Sequence, residues 1–307
     1  MVSKIWNNYL CPFFLCCGLS LFFLSGCQPE RAKAKMPAKD QVIGQWQHAF
    51  AQLKSLKLST KTYQISADEK KRLFTYGSFI YDAPLFLDDV TLAGSGQNAN
   101  SKESYDGKYF YMYTSGKALA HLRPKDHPQS ALLRAVKADG NRPSITVNPL
   151  YYLFGFALPE GDKTFGALSK PATWDNLKKR ITDWKSEPGG GYIFHCRGQL
   201  QSDQSGTQYE VTVISKNGIY MPVRIKQSQP GQKLTTEMKV LAYSKSTFPL
   251  PVPLKLFAQS IVNNVPRGQF VTVVDAKDLQ INPPIDQQIF TLHPKNPAEL
   301  IDVKILR

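Results

Sequence analysis

Few residues in this chain have both the type and the setting for chemistry, and the best placed is Cys27, the last of Leu24-Ser25-Gly26-Cys27. An ionised thiol is a nucleophile and a site for covalent modification. Three of the other cysteines, Cys11, Cys16 and Cys17, lie in the apolar run just ahead of it, which leaves Cys196 alone in the rest of the chain. A single thiol cannot form an internal disulfide, so Cys196 reads as a small buried hydrophobe on a strand with Tyr192, Ile193 and Phe194. The five histidines, His48, His121, His127, His195 and His293, form no pair at metal-ligand spacing with one another, a cysteine or a carboxylate. His195 and Cys196 are neighbours on a strand and point to opposite faces, so they cannot act as a couple. No Gly-x-Ser-x-Gly elbow, zincin helix or nucleotide fingerprint occurs, and Gly94 and Gly96 are followed by no Lys-Ser/Thr. Asp88, Asp89 and Asp106 read as turn acids. The expectation is no catalytic residue, no metal and no cofactor, and binding or structural roles remain.

The segment that positions Cys27 is more telling than the residue itself. Residues 9–23 are uncharged and strongly apolar, and one basic residue, Lys4, precedes them. A positive start, an apolar stretch rather short for a membrane span and small residues before a cut describe a secretory signal over residues 1–26. Leu24, Ser25, Gly26 and Cys27 resemble the lipobox of bacterial lipoproteins. That resemblance implies cleavage before Cys27, a diacylglyceryl group on its sulfur and a further acyl chain on its amine. At roughly 0.8 kcal/mol per buried CH₂, two or three chains anchor a protein stably where one does not. Gln28 in place of Asp points away from inner-membrane retention, so the expected location is the outer membrane, facing the periplasm. An ordinary signal peptide with a chance cysteine, or an uncleaved N-terminal helix, is the competing reading.

Removing residues 1–26 takes away Lys4 and no acid, so 281 of the 307 residues remain and the net charge falls from +14 to +13. The basic residues are dispersed, as in Lys70, Lys71, Arg72, Lys178, Lys179 and Arg180. For an exported, anchored chain, nucleic acid is an implausible partner; anionic head groups, at about 1 kcal/mol per basic residue near the surface, are a better one. A solvated basic face without a role accounts for the charge equally well. With one thiol left, stability must come from a hydrophobic core, which a chain of this length can build.

Residues 27–40, lipidated Cys27 followed by a stretch with two prolines and no apolar period, read as a tether, and residues 41–307 as one domain. Val42, Trp46, Ala49, Phe50, Leu53 and Leu56 share one face of a helix over residues 40–56. Strands are expected at 57–66, 71–81 and 84–93, on both sides of the Asp106-Gly107 hairpin, and through 192–200, 208–215, 219–227, 233–243 and 269–276, with a last one near 289–292. The Asp-Gly pair suggests a type I′ turn. Residues 130–137 suggest a helical turn. Asn148 suits the N-cap and Pro149 the first position of a short helix that is apolar all round. A second amphipathic helix is expected from Thr173 as N-cap, with Trp174, Leu177, Ile181 and Trp184 on one stripe, stopped by Pro188-Gly189. The proline-rich apolar residues 248–257 read as a loop or short helix, since no central strand tolerates such prolines.

These features together describe a curved antiparallel half-barrel sheet covered by helices, an α+β fold that is mainly β. The opening helix running into its strand, Tyr105-Asp106-Gly107-Lys108-Tyr109-Phe110-Tyr111, Asn148-Pro149-Leu150-Tyr151-Tyr152-Leu153 and Pro283-Pro284-Ile285-Asp286 with Ile289-Phe290-Thr291-Leu292 resemble the LolA/LolB-like carriers and acceptors of bacterial lipoproteins. The resemblance implies a hydrophobic cavity between sheet and helices that shelters acyl chains of lipoproteins or lipids, with transfer to the outer membrane as the role. The chain is longer than those proteins, and residues 246–266 have no counterpart there. Candidate lining residues are Trp46, Phe50, Phe79, Tyr109, Tyr111, Phe154, Phe156, Trp174 and Trp184, for each of which plain core packing is the rival account. The alternative function is a tethered module that binds another envelope protein, favoured if residues 248–257 form an exposed apolar patch.

Overall fold

Runs of Thr, Tyr, Val and Phe with alternating polarity dispose most of this chain to pair as strands. The computed structural model describes residues 37–93, 99–115, 131–137, 148–159, 164–187, 191–198, 206–229, 233–246, 249–263, 265–293 and 300–304. The helices are α1 (Lys39–Gln52), α2 (Pro149–Phe154) and α3 (Pro171–Arg180). The strands are β1 (Ser55–Ile65), β2 (Lys71–Asp82), β3 (Leu85–Leu92), β4 (Ala99–Tyr105), β5 (Tyr109–Ser115), β6 (Ala131–Lys137), β7 (Ile181–Glu187) and β8 (Gly191–Arg197), then β9 (Gln208–Lys216), β10 (Ile219–Ser228), β11 (Leu234–Tyr243), β12 (Pro253–Val262), β13 (Val265–Val274), β14 (Gln280–Ile281) and β15 (Leu300–Lys304).

The sheet runs β15-β6-β5-β4-β3-β2-β1-β13-β12-β11-β10-β9-β8-β7, with β14 also on β1. All these pairs are antiparallel except β15 with β6. The end strands β15 and β7 do not pair with each other, so the sheet is open. The expected architecture, a large open antiparallel sheet with helices on one face, is the one observed. Leu56, Leu58, Phe79, Tyr81 and Phe86 of the first strands, and Tyr192, Phe194, Val211 and Ile225 of the later ones, form with the helices one continuous core.

Several elements differ from expectation. Helix α1 ends at Gln52, and Leu56 lies on β1 opposite Tyr81. The Asn282 side chain accepts from the backbone N–H groups of Lys54 and Ser55 and draws the chain out of the helix. Helix α3 begins with Pro171, not after Thr173, whose hydroxyl instead donates to Ala167 O at 2.6 Å. It stops at Arg180, where β-branched Ile181 and Thr182 open β7, so Trp184 is a strand residue. Residues 131–137 form a strand. Residues 253–262 form β12, in mid-sheet; Pro253 is its first residue, the position at which a strand accepts proline. Near the C-terminus, Gln287–Phe290 is a 3₁₀ helix where a strand was expected. The chain packs from Pro37, within the expected tether, because Trp184 donates to Pro37 O at 3.1 Å.

One hairpin turn differs from expectation. Gly107 has φ +93° and Asp106 no positive φ, so the β4–β5 loop is not type I′. Its Asp106 carboxylate accepts from the backbone N–H groups of Lys108 and Tyr109 and from the Tyr111 hydroxyl. The type I′ pattern belongs to Asn217-Gly218 between β9 and β10, with φ of 55° and 76°. The Asn148 cap is as expected, its side chain accepting from Leu150 N at 3.0 Å. Cys27 and the residues before it lie outside the described residues.

Candidate functional site

The nine candidate rings do not share one wall. Trp46 and Phe50 from α1, Phe154 from α2, Phe156 from the 3₁₀ turn Gly155–Ala157, and Trp174 from α3 meet in one cluster, none more than 3% exposed. Trp46 stands 5.4 Å from Phe154 and 6.1 Å from Phe156, and Phe50 lies 4.9 Å from Phe154 and 5.6 Å from Trp174. Phe79 joins them through Phe165, 5.4 Å away. Trp184 stacks on Phe194 at 5.5 Å. Tyr109 and Tyr111 occupy the other face of the sheet, where Tyr111 packs with Leu292. A gap of about 10 Å³ separates Phe50 from Leu150, Leu250 and Val252, at or below the roughly 10–15 Å³ that one water needs. The α1 side of the helix layer is therefore filled.

Space opens on the side of Phe156 that faces away from α1. There a cleft of about 420 Å³ lies between α2 with the Gly155–Ala157 turn above and strands β9, β10 and β11 below. Strand register builds its floor in two rows: Ile225 and Met238 in one, Tyr209, Gln227 and Thr236 in the next. The roof is Tyr151, Tyr152 and Phe156, with Leu158 and Arg180 at the flank. Its lining mixes apolar side chains, Phe156, Leu158, Ile225 and Met238, with polar ones, Arg180, Thr207, Gln227, Gln229 and Thr236, and its volume is that of a small-molecule site. Gly155 at the roof has helical backbone angles, φ −56° and ψ −28°, and a Cβ built there meets nothing within 4 Å.

Of the nine rings only Phe156 lines this cleft. Tyr151, Leu158, Tyr209, Ile225 and Met238 escaped the sequence reading, although alternation along β9, β10 and β11 would have put the last three on one face had the register been known. Tyr151 belongs to the helix that was apolar all round.

The opposite face of the same strands is charged. Asp183, His195, Glu210, Lys226, Glu237, Gln259 and Gln269 form a row across seven strands, each facing the next in register. His195 stands 3.5 Å from both Asp183 and Glu210, a contact invisible in sequence because twelve and fifteen positions separate them. Lys226 pairs with Glu210 at 3.2 Å, and Arg224 with Glu237 at 2.6 Å. Burial pushes the Glu210 and Glu237 carboxyls up, but their cationic partners outweigh it and hold both below the usual carboxylate range. In the groove of about 580 Å³ along this row, His195, Glu210, Lys226 and Glu237 each already have a charged neighbour. Among the described residues no three His, Cys, Asp or Glu side chains could hold a metal ion. Cys196 faces the helices, and burial pushes its thiol up to about 12, far from nucleophilic. Residues 249–252 are not an exposed patch: Leu250 and Val252 are buried.

No family model and no curated protein matches the chain. A solved structure described as a LolA superfamily protein from Nitrosomonas europaea is 10% identical, covers 82% of this chain and 97% of its own, and gives a TM-score of 0.43. A structure described as an outer membrane lipoprotein-sorting protein domain, from Vibrio parahaemolyticus, is 9% identical, covers 81% and 95%, and gives 0.45. Both are similar in fold, and neither bears on what the cleft holds.

Proposed function

We propose that this protein is a lipid-anchored envelope protein that shelters an apolar ligand, an acyl chain, in the cleft between α2 and the sheet. The observation that carries the reading is an open volume of about 420 Å³ on the other side of Phe156 from the packed rings of α1, where the gap beside Phe50 is about 10 Å³. Phe156, Leu158, Ile225 and Met238 line one part of that space, and Arg180, Gln227 and Thr236 another. Dispersion contacts are lost wherever apolar side chains face a void, and an apolar occupant restores them. The anchor at Cys27 would keep the cleft close to a bilayer, the source of such chains.

Gly155 supplies the test. Gly155→Leu places a side chain in the cleft without backbone strain, and loss of glycine freedom in the unfolded chain stabilises by roughly 0.4–1 kcal/mol. Native mass spectrometry of the full chain should show a co-purifying lipid in the wild type and none in Gly155→Leu, at equal or higher thermal stability. Absence of any bound lipid and of fluorescent fatty-acid uptake in the wild type would sink the reading.

A further inference from the structure

Arg180, the last residue of α3, lines the cleft and is held by neutral groups alone. Its Nε donates to Asn176 Oδ1 at 2.9 Å, its Nη1 to Phe156 O at 3.1 Å and Arg197 O at 2.8 Å, and its Nη2 to Ala157 O at 2.9 Å. A guanidinium carries five N–H donors, so one, on Nη2, is left over. Among the described residues no carboxylate pairs with it. The titratable groups that act on it are the Cys196 thiol and the Tyr209 phenol, both kept neutral because burial raises them. Burial lowers the guanidinium's own pKa, the mark of a cation removed from water without a counter-charge. On the far face of the same sheet, by contrast, Arg224 has Glu237 at 2.6 Å.

We infer that the cleft takes a fatty acid, its single chain against Phe156, Leu158, Ile225 and Met238 and its carboxylate on the Arg180 guanidinium. This rests on the proposed acyl-binding role and adds the head group to it. Charge complementarity selects an anion: a half-buried cation with no carboxylate beside it among the described residues lacks only that. One free N–H suits one carboxylate oxygen, whereas a phosphate would bring three acceptors to it. Volume selects a single chain. About 420 Å³ lies at the small end of the roughly 300–1,000 Å³ of small-molecule sites, which suits one acyl chain better than several. The rival account is that Arg180 merely ties down the last carbonyls of the Gly155–Ala157 turn.

The full chain, reconstituted in phosphatidylcholine nanodiscs, would be exposed to a diazirine-bearing palmitic acid or to the matching diazirine-bearing hexadecanol, irradiated, and its labelled peptides mapped by mass spectrometry. Labelling of residues 151–158 and of β10 and β11 by the acid should exceed that by the alcohol about tenfold, as one charge-assisted hydrogen bond implies. In Arg180→Gln the ratio should fall to about one while the alcohol still labels, and Arg180→Lys should restore part of it. Equal labelling by acid and alcohol in the wild type, or an equal loss of both in Arg180→Gln, would overturn the assignment and leave a structural tie. If neither probe labels the cleft in the wild type, the acyl-binding role itself falls.

Discussion

Glu237 is 4% exposed on the face of the sheet away from the helices, and three groups hold its carboxylate: Arg224 at 2.6 Å, Gln259 at 2.7 Å and Lys239 at 3.4 Å. Burial alone would raise its pKa, but these partners bring it below the ordinary carboxylate value. A carboxyl whose folded pKa is depressed stabilises fully above its unfolded pKa, about 4.3, and loses that contribution as pH falls through the folded value. Glu237→Gln should cost about 2 kcal/mol at pH 7, since it leaves two cations facing an amide. Urea unfolding across pH should show that difference whole at pH 6 and shrinking below about pH 4. A difference constant down to pH 2 would mean the charge is irrelevant. None of this was readable from residue order, because Arg224, Glu237 and Gln259 meet only through the register of β10, β11 and β12. The same holds for His195. Its separation from Cys196 onto opposite faces was readable, because alternation along a strand is local.

Local rules placed most elements and failed where two periodicities overlap. Asn148 before Pro149 marked α2 correctly, since cap and proline act within one turn. Trp174, Leu177, Ile181 and Trp184 fit a helical stripe, yet the helix stops at Arg180 because Ile181 finds Cys196, and Trp184 finds Phe194, as strand partners. Residues 253–262 were hidden by prolines that in fact precede the strand or open it. The Asn217-Gly218 turn carries its own prediction. Gly218 has φ +76° and a Cβ there meets nothing within 4 Å, so Gly218→Ala isolates the backbone cost. Thermal unfolding should report a loss of about 1 kcal/mol, the penalty of a left-handed residue with a Cβ. A neutral result would show that the β9–β10 hairpin relaxes to another turn.

At the scale of the molecule, the sheet is held across its middle by β1, the first strand, pairing with β13, so each half depends on a contact between distant parts of the chain. The helices all lie on one face, which leaves the cleft there and the charged row on the other. Anchoring belongs to this scale too. Cys27→Ala should abolish incorporation of a labelled fatty acid and shift the protein from the membrane to the soluble fraction; labelling that persists would remove the anchor. The sequence by itself determined the strand-rich class, the capping helices, the apolar run ahead of Cys27 and the excess of aromatic side chains, because each is set by composition or by neighbours a few residues apart. Only the tertiary structure decided which aromatics fill the core and which border a cleft, and that no carboxylate among the described residues pairs with Arg180 there. Those outcomes depend on how strands far apart in sequence fall into register, and on whether facing side chains leave a gap, and neither is encoded in local spacing.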